Sequence, residues 1–84
     1  MNIIIYTKTG CPWCQDVLEL LTKYKIQFEE RNCTSNEIYF KELVELSSQT
    51  LTPTLIIDGV LLADSDAAAV EDYLKKKNLF PAAQ

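Results

Sequence analysis

Apolar residues change their spacing along the chain, and each change marks a boundary between predicted elements. The run Ile3-Ile4-Ile5-Tyr6-Thr7 is β-branched and aromatic, which is typical of a buried strand. After it, apolar residues recur three or four positions apart, as they do on one face of a helix. These residues are Val17, Leu18, Leu21 and Tyr24. The chain therefore begins with a strand that leads into an amphipathic helix.

The rest of the pattern repeats this alternation and then adds a hairpin. The predicted order is strand 2–7, helix 12–25, strand 26–32, helix 35–47, strand 54–58, short strand 60–63 and helix 65–77. Thr34-Ser35-Asn36-Glu37 has the capping-box pattern and predicts the start of the second helix. Asp58-Gly59 separates two apolar runs and predicts a tight hairpin turn.

This order of elements predicts an α/β fold. A strand–helix–strand unit places two parallel strands in one sheet through a right-handed crossover. A hairpin added to that sheet introduces antiparallel pairing. We therefore expect residues 1–84 to form a single domain with a four-stranded mixed sheet flanked by three helices.

Composition and charge exclude several classes of function. The net charge of −4 argues against a nucleic-acid-binding protein, which would carry a basic stripe. No apolar run reaches the roughly 18–20 residues that span a bilayer, and we expect no targeting peptide before the first strand. We expect the protein to be a monomer in the cytoplasm, a compartment in which structural disulfides are rare. Three cysteines, an odd number, exclude a framework of several disulfides.

Two of the cysteines lie at the junction between the first strand and the first helix, in Cys11-Pro12-Trp13-Cys14. A thiol at a helix N-terminus meets unpaired N–H groups and the positive end of the helix dipole, and both favour its thiolate. Cys14 is one turn further along the same face, close enough for a disulfide with Cys11. The spacing indicates a redox pair with Cys11 as nucleophile and Cys14 as resolving thiol. A structural disulfide is the alternative.

Together with motifs later in the chain, this pair makes the sequence resemble a glutaredoxin. The matching segments are Tyr6 to Cys14, Thr52-Pro53-Thr54, Gly59 and Ser65-Asp66. The resemblance covers essentially the whole chain and implies a thioredoxin-like fold of the glutaredoxin type, βαβ–ββα. Two positions depart from the family pattern. Trp13 replaces the usual Tyr, and Ala63-Asp64 replaces the usual Gly-Gly, which adds a negative charge where a negatively charged ligand would lie.

The resemblance also implies glutathione as cosubstrate, with no metal, and assigns residues to its binding. These residues are Lys8, Trp13, Gln49, Thr52, Pro53, Ser65 and Asp66. Thr52–Pro53 is expected to be cis, with the Thr52 backbone pairing with the substrate peptide. Lys8 is expected to stabilise the Cys11 thiolate and meet a ligand carboxylate.

The remaining assignments concern the two ends of glutathione. Gln49 is expected to contact the glycyl carboxylate, and Asp66 the α-amino group at the start of the last helix. Each assignment has a structural alternative: a solvated Lys8, a core Trp13, and an N-cap from Asp64, Ser65 or Asp66. Cys33 is expected to be a small buried hydrophobe, with a regulatory or metal role as its alternative.

Three functions fit the sequence. The first is a glutathione-dependent oxidoreductase that reduces protein disulfides and glutathione mixed disulfides. The second is a small protein-disulfide reductant that serves ribonucleotide reductase and is recycled by a thioredoxin-type reductase. The third is a metal or iron–sulfur carrier. Cys11, Cys14 and Cys33 supply at most three ligands, and the chain has no histidine, so a cluster would need a dimer bridged with external glutathione.

Overall fold

The computed structural model describes residues 1–79, and residues 80–84 of the predicted domain lie outside the described part. The elements are β1 (Ile3–Thr7), α1 (Pro12–Lys23), β2 (Glu29–Asn32), α2 (Glu37–Ser47), β3 (Thr54–Ile57), β4 (Val60–Leu62) and α3 (Ala67–Lys76). This order confirms the predicted βαβ–ββα arrangement. No helix within residues 1–79 is long and apolar enough to cross a membrane.

The four strands form one mixed sheet in the order β2-β1-β3-β4. β1 pairs in parallel with β2 and antiparallel with β3, and β4 pairs antiparallel with β3. The register places Tyr6 opposite Thr54 and Thr7 opposite Asn32. The carboxyl ends of β1 and β2 and the start of β3 therefore meet at one edge of the sheet. Functional sites of α/β folds form at the carboxyl ends of parallel strands.

Helices cover both faces of the sheet. α1 and α3 pack on one face, in a buried cluster formed by Ile3, Ile5, Val17, Leu21, Ile26, Leu55, Ile57, Val70 and Leu74. On the other face, Leu43 of α2 packs against Tyr6 and Cys33. Successive residues of β1 point to opposite faces, so Ile5 joins the first cluster and Tyr6 the second.

The start of β2 differs from the prediction. The strand begins at Glu29 instead of residue 26, because the chain first completes a C-terminal cap on α1. The N–H of Lys25 donates to the carbonyl of Thr22, and the N–H of Ile26 donates to that of Leu21. Lys25 adopts a left-handed φ of 57°. These are the two bonds of a Schellman motif, with the apolar contact that accompanies it between buried Ile26 and Leu21.

The start of α2 also differs from the predicted capping box. Asn36 is the N-cap, and its side chain accepts a hydrogen bond from the N–H of Ile38. The Thr34 hydroxyl instead accepts a hydrogen bond from the backbone of Thr9, in the loop before Cys11. Asn36 is an equally good capping residue. The tertiary contact made by Thr34 therefore decides which residue begins the helix.

The hairpin between β3 and β4 confirms the predicted turn. Asp58 and Gly59 both have positive φ, 48° and 84°, which a two-residue hairpin of the type I′ class requires. Ile57 and Val60 pair across the turn. The Asp58 carboxylate accepts a hydrogen bond from the N–H of Asn2, so the turn is tied to the start of β1. It therefore lies at the edge of the sheet opposite to Cys11.

Candidate active site

Cys11 is the N-cap residue of α1 and has extended backbone angles, φ −93° and ψ 107°. Its Sγ accepts a hydrogen bond from the N–H of Cys14 at 3.2 Å. Its carbonyl accepts the first intrahelical bond, from the N–H of Gln15. The sulfur thus takes the place that a Ser or Asp side-chain oxygen fills at most helix N-termini. Pro12 follows at the first helical position, where a missing N–H carries no cost.

Thr52 approaches the same sulfur from the loop before β3. Its hydroxyl lies 3.7 Å from Cys11 Sγ and its carbonyl oxygen 3.8 Å from it. The hydroxyl donates to the thiolate, and the carbonyl accepts from the thiol, so both protonation states have a partner. The Thr52–Pro53 bond is cis, as the resemblance implies.

These contacts lower the pKa of Cys11. Burial of the half-exposed thiol opposes ionisation, but hydrogen bonds from the Cys14 thiol and backbone, the Thr52 hydroxyl and the Trp13 backbone outweigh it. Each of these groups donates to the charged form of the sulfur. Cys11 is therefore the more acidic thiol of the pair.

Cys14 has the opposite character. It is fully buried, and burial together with the hydrogen bond to Cys11 raises its pKa to about 11. The pair is in the reduced, dithiol form. One accessible sulfur of lowered pKa therefore lies beside one buried sulfur that keeps its proton.

An open cleft of about 560 Å³ lies next to the cysteine pair: Cys11 itself does not line it, but Thr52, whose hydroxyl contacts Cys11 Sγ, and Trp13 do. Four of its lining residues belong to the predicted site, namely Trp13, Thr52, Pro53 and Asp66. Trp13 is 61% exposed, so the alternative that it fills the core is wrong. The cleft lies between α1, the cis-proline loop and the start of α3.

The segment between β4 and α3 forms one wall of the cleft. The N–H of Ser65 donates to the carbonyl of Pro53 at 2.9 Å, which ties this segment to the cis-proline loop. Asp66 is the N-cap of α3, and its carboxylate accepts a hydrogen bond from the N–H of Ala69 at 2.9 Å. The N-cap alternative for Asp66 is confirmed. Contacts of Ser65 and Asp66 with glutathione remain predictions.

Lys8 and Gln49 are predicted site residues that do not line the cleft. The Lys8 ammonium donates to the carbonyl of Thr50 and lies 6.0 Å from the centre of the Phe40 ring. Both ends of the Gln49 amide are engaged: its nitrogen donates to the hydroxyls of Ser47 and Thr54, and its oxygen accepts from the N–H of Leu51. Binding of a ligand carboxylate by either residue would require these bonds to be exchanged, and both assignments remain predictions.

Three further residues line the cleft, Leu51, Asp64 and Ala69. The sequence analysis expected the Asp64 charge beside the ligand, but it did not place Leu51 or Ala69 in the site. Leu51 is 53% exposed and directly precedes the Thr-Pro motif. Ala69 lies one helical turn after Asp66. Asp64 is the residue at which the family pattern has glycine, and it adopts a left-handed φ of 47°. The positive φ links this departure from the family pattern to the shape of the site, because Asp64 adopts a backbone conformation that favours glycine.

The third cysteine lies apart from this pair. Cys33 is buried against Tyr6 and Leu43, and burial raises the pKa of its thiol. The prediction that it is a small buried hydrophobe is confirmed. Within residues 1–79, no group of three or more Cys, Asp or Glu side chains is arranged to hold a metal ion.

Comparison with known proteins agrees with this geometry. A family model described as Glutaredoxin matches residues 3–62, which include β1, the cysteine pair, the cis-proline loop and both hairpin strands. The chain belongs to the glutaredoxin family. The solution structure of Glutaredoxin from Brucella melitensis superposes with a TM-score of 0.71 at 28% identity, covering 100% of this chain and 92% of that one. The thioredoxin-like fold of the glutaredoxin type is therefore confirmed.

Two relatives are similar in sequence. Glutaredoxin 3 of Escherichia coli K12 is 31% identical over 65 residues, which cover 77% of this chain and 78% of that protein. An uncharacterized glutaredoxin-like 8.6 kDa protein in the rubredoxin operon of Clostridium pasteurianum is 30% identical over 74 residues. That match covers 88% of this chain and 99% of the Clostridium protein. Members of the glutaredoxin family are thiol redoxins, and the dithiol described above is suited to that chemistry.

Proposed function

We propose that this chain is a thiol–disulfide oxidoreductase in which Cys11 attacks the substrate disulfide and Cys14 resolves the adduct. The observation that carries the proposal is the unequal pair of thiols. Cys11 is accessible, caps α1 and has a lowered pKa, whereas Cys14 is buried and has a raised one. Only the thiolate attacks a disulfide, so the order of the two steps follows from this difference.

In the first step, the Cys11 thiolate attacks one sulfur of the substrate disulfide. A bond forms between Cys11 Sγ and that sulfur, the substrate S–S bond breaks, and the second substrate sulfur leaves as a thiolate. The negative charge thereby moves from Cys11 to the leaving group. Cys11 is then neutral in a mixed disulfide.

In the second step, Cys14 becomes the nucleophile. Its raised pKa is due first to burial and then to its hydrogen bond and charge interaction with Cys11. The mixed disulfide removes the charge on Cys11, so the second cause disappears and the Cys14 proton is lost more readily. Cys14 Sγ then bonds to Cys11 Sγ and releases the substrate as a thiolate. The protein dithiol has given two electrons, and the substrate has become two thiols.

Glutathione is the first candidate for the reductant that restores the dithiol. Two molecules of glutathione would reduce the Cys11–Cys14 disulfide and leave as one molecule of oxidised glutathione. Membership of the glutaredoxin family and the cleft beside Cys11 support this donor. A glutathione adduct on Cys11 would lie against Trp13 and the cis-proline loop.

A thioredoxin-type reductase is the second candidate donor, with ribonucleotide reductase as one protein substrate. The Asp64 carboxylate in the cleft favours this alternative, because glutathione carries a net negative charge. The Clostridium relative, an 8.6 kDa protein whose name places it in a rubredoxin operon, also supports a role as a small redoxin.

One set of assays tests the division of roles. The wild-type protein is supplied with glutathione and glutathione reductase, or with thioredoxin reductase, and the reduction of a protein disulfide and of a glutathionylated protein is followed. Cys11→Ser is expected to abolish every activity. Cys14→Ser is expected to retain removal of glutathione from the glutathionylated protein, which needs one thiol, and to lose reduction of the protein disulfide. Equal loss of both activities in Cys14→Ser would contradict the proposed roles.

A further inference from the structure

The charged side chains that line the cleft beside Cys11 are Asp64 and Asp66, and both are carboxylates. The remaining lining residues are uncharged. The cation nearest in sequence to Cys11, Lys8, points its ammonium at the carbonyl of Thr50 and does not line the cleft. A disulfide that approaches Cys11 from this cleft therefore passes two carboxylates and no cation among the residues that line it.

The two carboxylates are not equivalent. Asp66 caps α3, so its carboxylate is already shared with the N–H of Ala69 and faces the positive end of a helix dipole. The Asp64 carboxylate makes no hydrogen bond and no ion pair with any residue in the described part of the chain. Its charge is thus uncompensated and available to a ligand.

The backbone holds Asp64 in place. Its φ of 47° is a left-handed conformation that Asp and Asn tolerate better than other non-glycine residues. Its N–H donates to the Thr54 hydroxyl at 3.1 Å, and the next residue, Ser65, is bonded to the carbonyl of Pro53. Asp64 is therefore attached to the same loop that carries Thr52, the residue in contact with Cys11 Sγ.

We propose that Asp64 is a specificity-determining residue that selects disulfides by charge, favouring those flanked by Lys, Arg or another amine over those flanked by carboxylates. The inference rests on the proposed attack of Cys11 on a disulfide and does not depend on which donor restores the dithiol. On a protein substrate, the selected feature is a basic segment beside the cystine.

Small disulfides of similar size and different charge isolate this effect. Cystamine is a dication, hydroxyethyl disulfide is neutral, and dithiodipropionate is a dianion. In each reaction the protein dithiol is oxidised to the Cys11–Cys14 disulfide, and one molecule of probe is reduced to two thiols. The interaction between two unit charges about 4 Å apart in water is strong enough to change a rate constant about fivefold. Wild-type protein is expected to react fastest with cystamine and slowest with dithiodipropionate at low ionic strength.

The experiment measures the second-order rate constant for each probe with the reduced protein, by stopping the reaction with an alkylating agent and counting remaining protein thiols by mass. Each value is divided by that for hydroxyethyl disulfide, so that a change in the intrinsic reactivity of Cys11 cancels. In Asp64→Asn, the ratio of cystamine to dithiodipropionate is expected to fall about fivefold or more. The difference between wild type and variant is expected to shrink in about 1 M NaCl, where screening is nearly complete.

The chain offers a closely matched control. Asp58 has the same residue type and nearly the same φ, 48°, but it lies in the hairpin turn at the opposite edge of the sheet. Asp58→Asn removes one negative charge from the molecule without changing the cleft, so its probe ratio is expected to equal that of the wild type. Asp64→Gly is a second variant, because glycine adopts positive φ without strain.

The outcomes separate the two proposals. If the wild-type protein reacts with hydroxyethyl disulfide but Asp64→Asn and Asp64→Gly keep the wild-type ratio, charge selection by Asp64 is refuted and the proposed function stands. A ratio that falls equally in Asp58→Asn also refutes it, because the effect would then be one of net charge. If no probe oxidises the wild-type dithiol, the proposed function itself fails.

Discussion

At the scale of single residues, the chemistry depends on one sulfur that occupies a capping position. Hydrogen bonds to Cys11 come from its own helix and from Thr52, and they overcome the burial that would otherwise keep the thiol protonated. The helix contributes the thiol of Cys14 and backbone N–H groups, whereas the Thr52 contribution comes from a side chain outside the helix. The second part can therefore be removed without disturbing the helix.

Removal of the Thr52 hydroxyl is expected to raise the pKa of Cys11. Thr52→Val keeps the shape of the side chain and loses the donor to the thiolate. In Cys14→Ser and Cys33→Ser backgrounds, the rate of alkylation against pH reports Cys11 alone. We expect a midpoint below the ordinary value of about 8.5 for the parent, and a higher midpoint for Thr52→Val.

Thr50→Val provides the matched control, since Thr50 contributes its carbonyl to Lys8 and its side chain is exposed. Its midpoint is expected to equal that of the parent. A parent midpoint at or above 8.5 would contradict the assignment of Cys11 as the ionised nucleophile. An unchanged midpoint in Thr52→Val would show that donors from the helix alone set the acidity of Cys11.

At the scale of elements, the sequence predicted more than the positions of the strands. The apolar run of β1, the three-and-four spacing of α1 and the Asp58-Gly59 turn each depend on local chemistry, and the structure confirms all three. The errors occur where local signals compete. The capping box at Thr34 was overruled because its hydroxyl bonds to the loop before Cys11, a partner 25 residues away that no local pattern reveals.

The same distinction applies to the active site. Cys11, Cys14 and the Thr-Pro motif are recognisable because their chemistry requires particular residue types. Leu51 and Ala69 were missed because their role is only to border a cleft, which any apolar residue performs. The hydrogen bonds that engage Gln49 also depend on the folded loop between α2 and β3.

The C-terminal cap of α1 gives a prediction at this scale. Lys25 adopts a φ of 57°, a conformation that costs a non-glycine residue about 1 kcal/mol and that glycine adopts freely. Lys25→Gly is expected to raise the free energy of unfolding in urea by about 0.5–1 kcal/mol.

Lys23→Gly is the paired variant, because Lys23 is the last residue of α1 and has helical geometry. It is expected to lower the free energy of unfolding by up to about 1 kcal/mol, since glycine loses more backbone entropy than lysine when it is fixed in helical geometry. If Lys25→Gly lowered the free energy of unfolding as Lys23→Gly does, the role assigned to the left-handed conformation of Lys25 would be contradicted.

At the scale of the whole molecule, buried thiols with raised pKa values make the free energy of unfolding depend on pH. The pKa values of Cys14 and Cys33 are raised, above all by burial, whereas that of Cys11 is lowered. A thiol with a raised pKa stays protonated in the folded state at a pH where the unfolded chain has already ionised. Its contribution to stability is complete below the unfolded value of about 8.5 and is lost as pH rises toward the folded value.

The reduced protein is therefore expected to lose stability between about pH 8.5 and pH 10.5, by roughly 1–2 kcal/mol. The lowered pKa of Cys11 acts in the opposite direction, but at pH values below about 8.5, so it does not offset this loss. Urea denaturation under reducing conditions at a series of pH values measures this loss of stability. Cys14→Ala is expected to flatten the pH dependence, whatever its effect on stability at neutral pH. A slope that persists unchanged in this variant would exclude Cys14 as its source.

The hairpin between β3 and β4 has a practical consequence. Its tip, Asp58 and Gly59, is exposed and lies at the end of the sheet remote from the redox pair. Exposed loop tips accept inserted chain better than other positions in a domain. A flexible tether attached there would fix the molecule to a bead or an electrode with its reactive sulfur pointing away from the support, leaving the cleft open to incoming proteins.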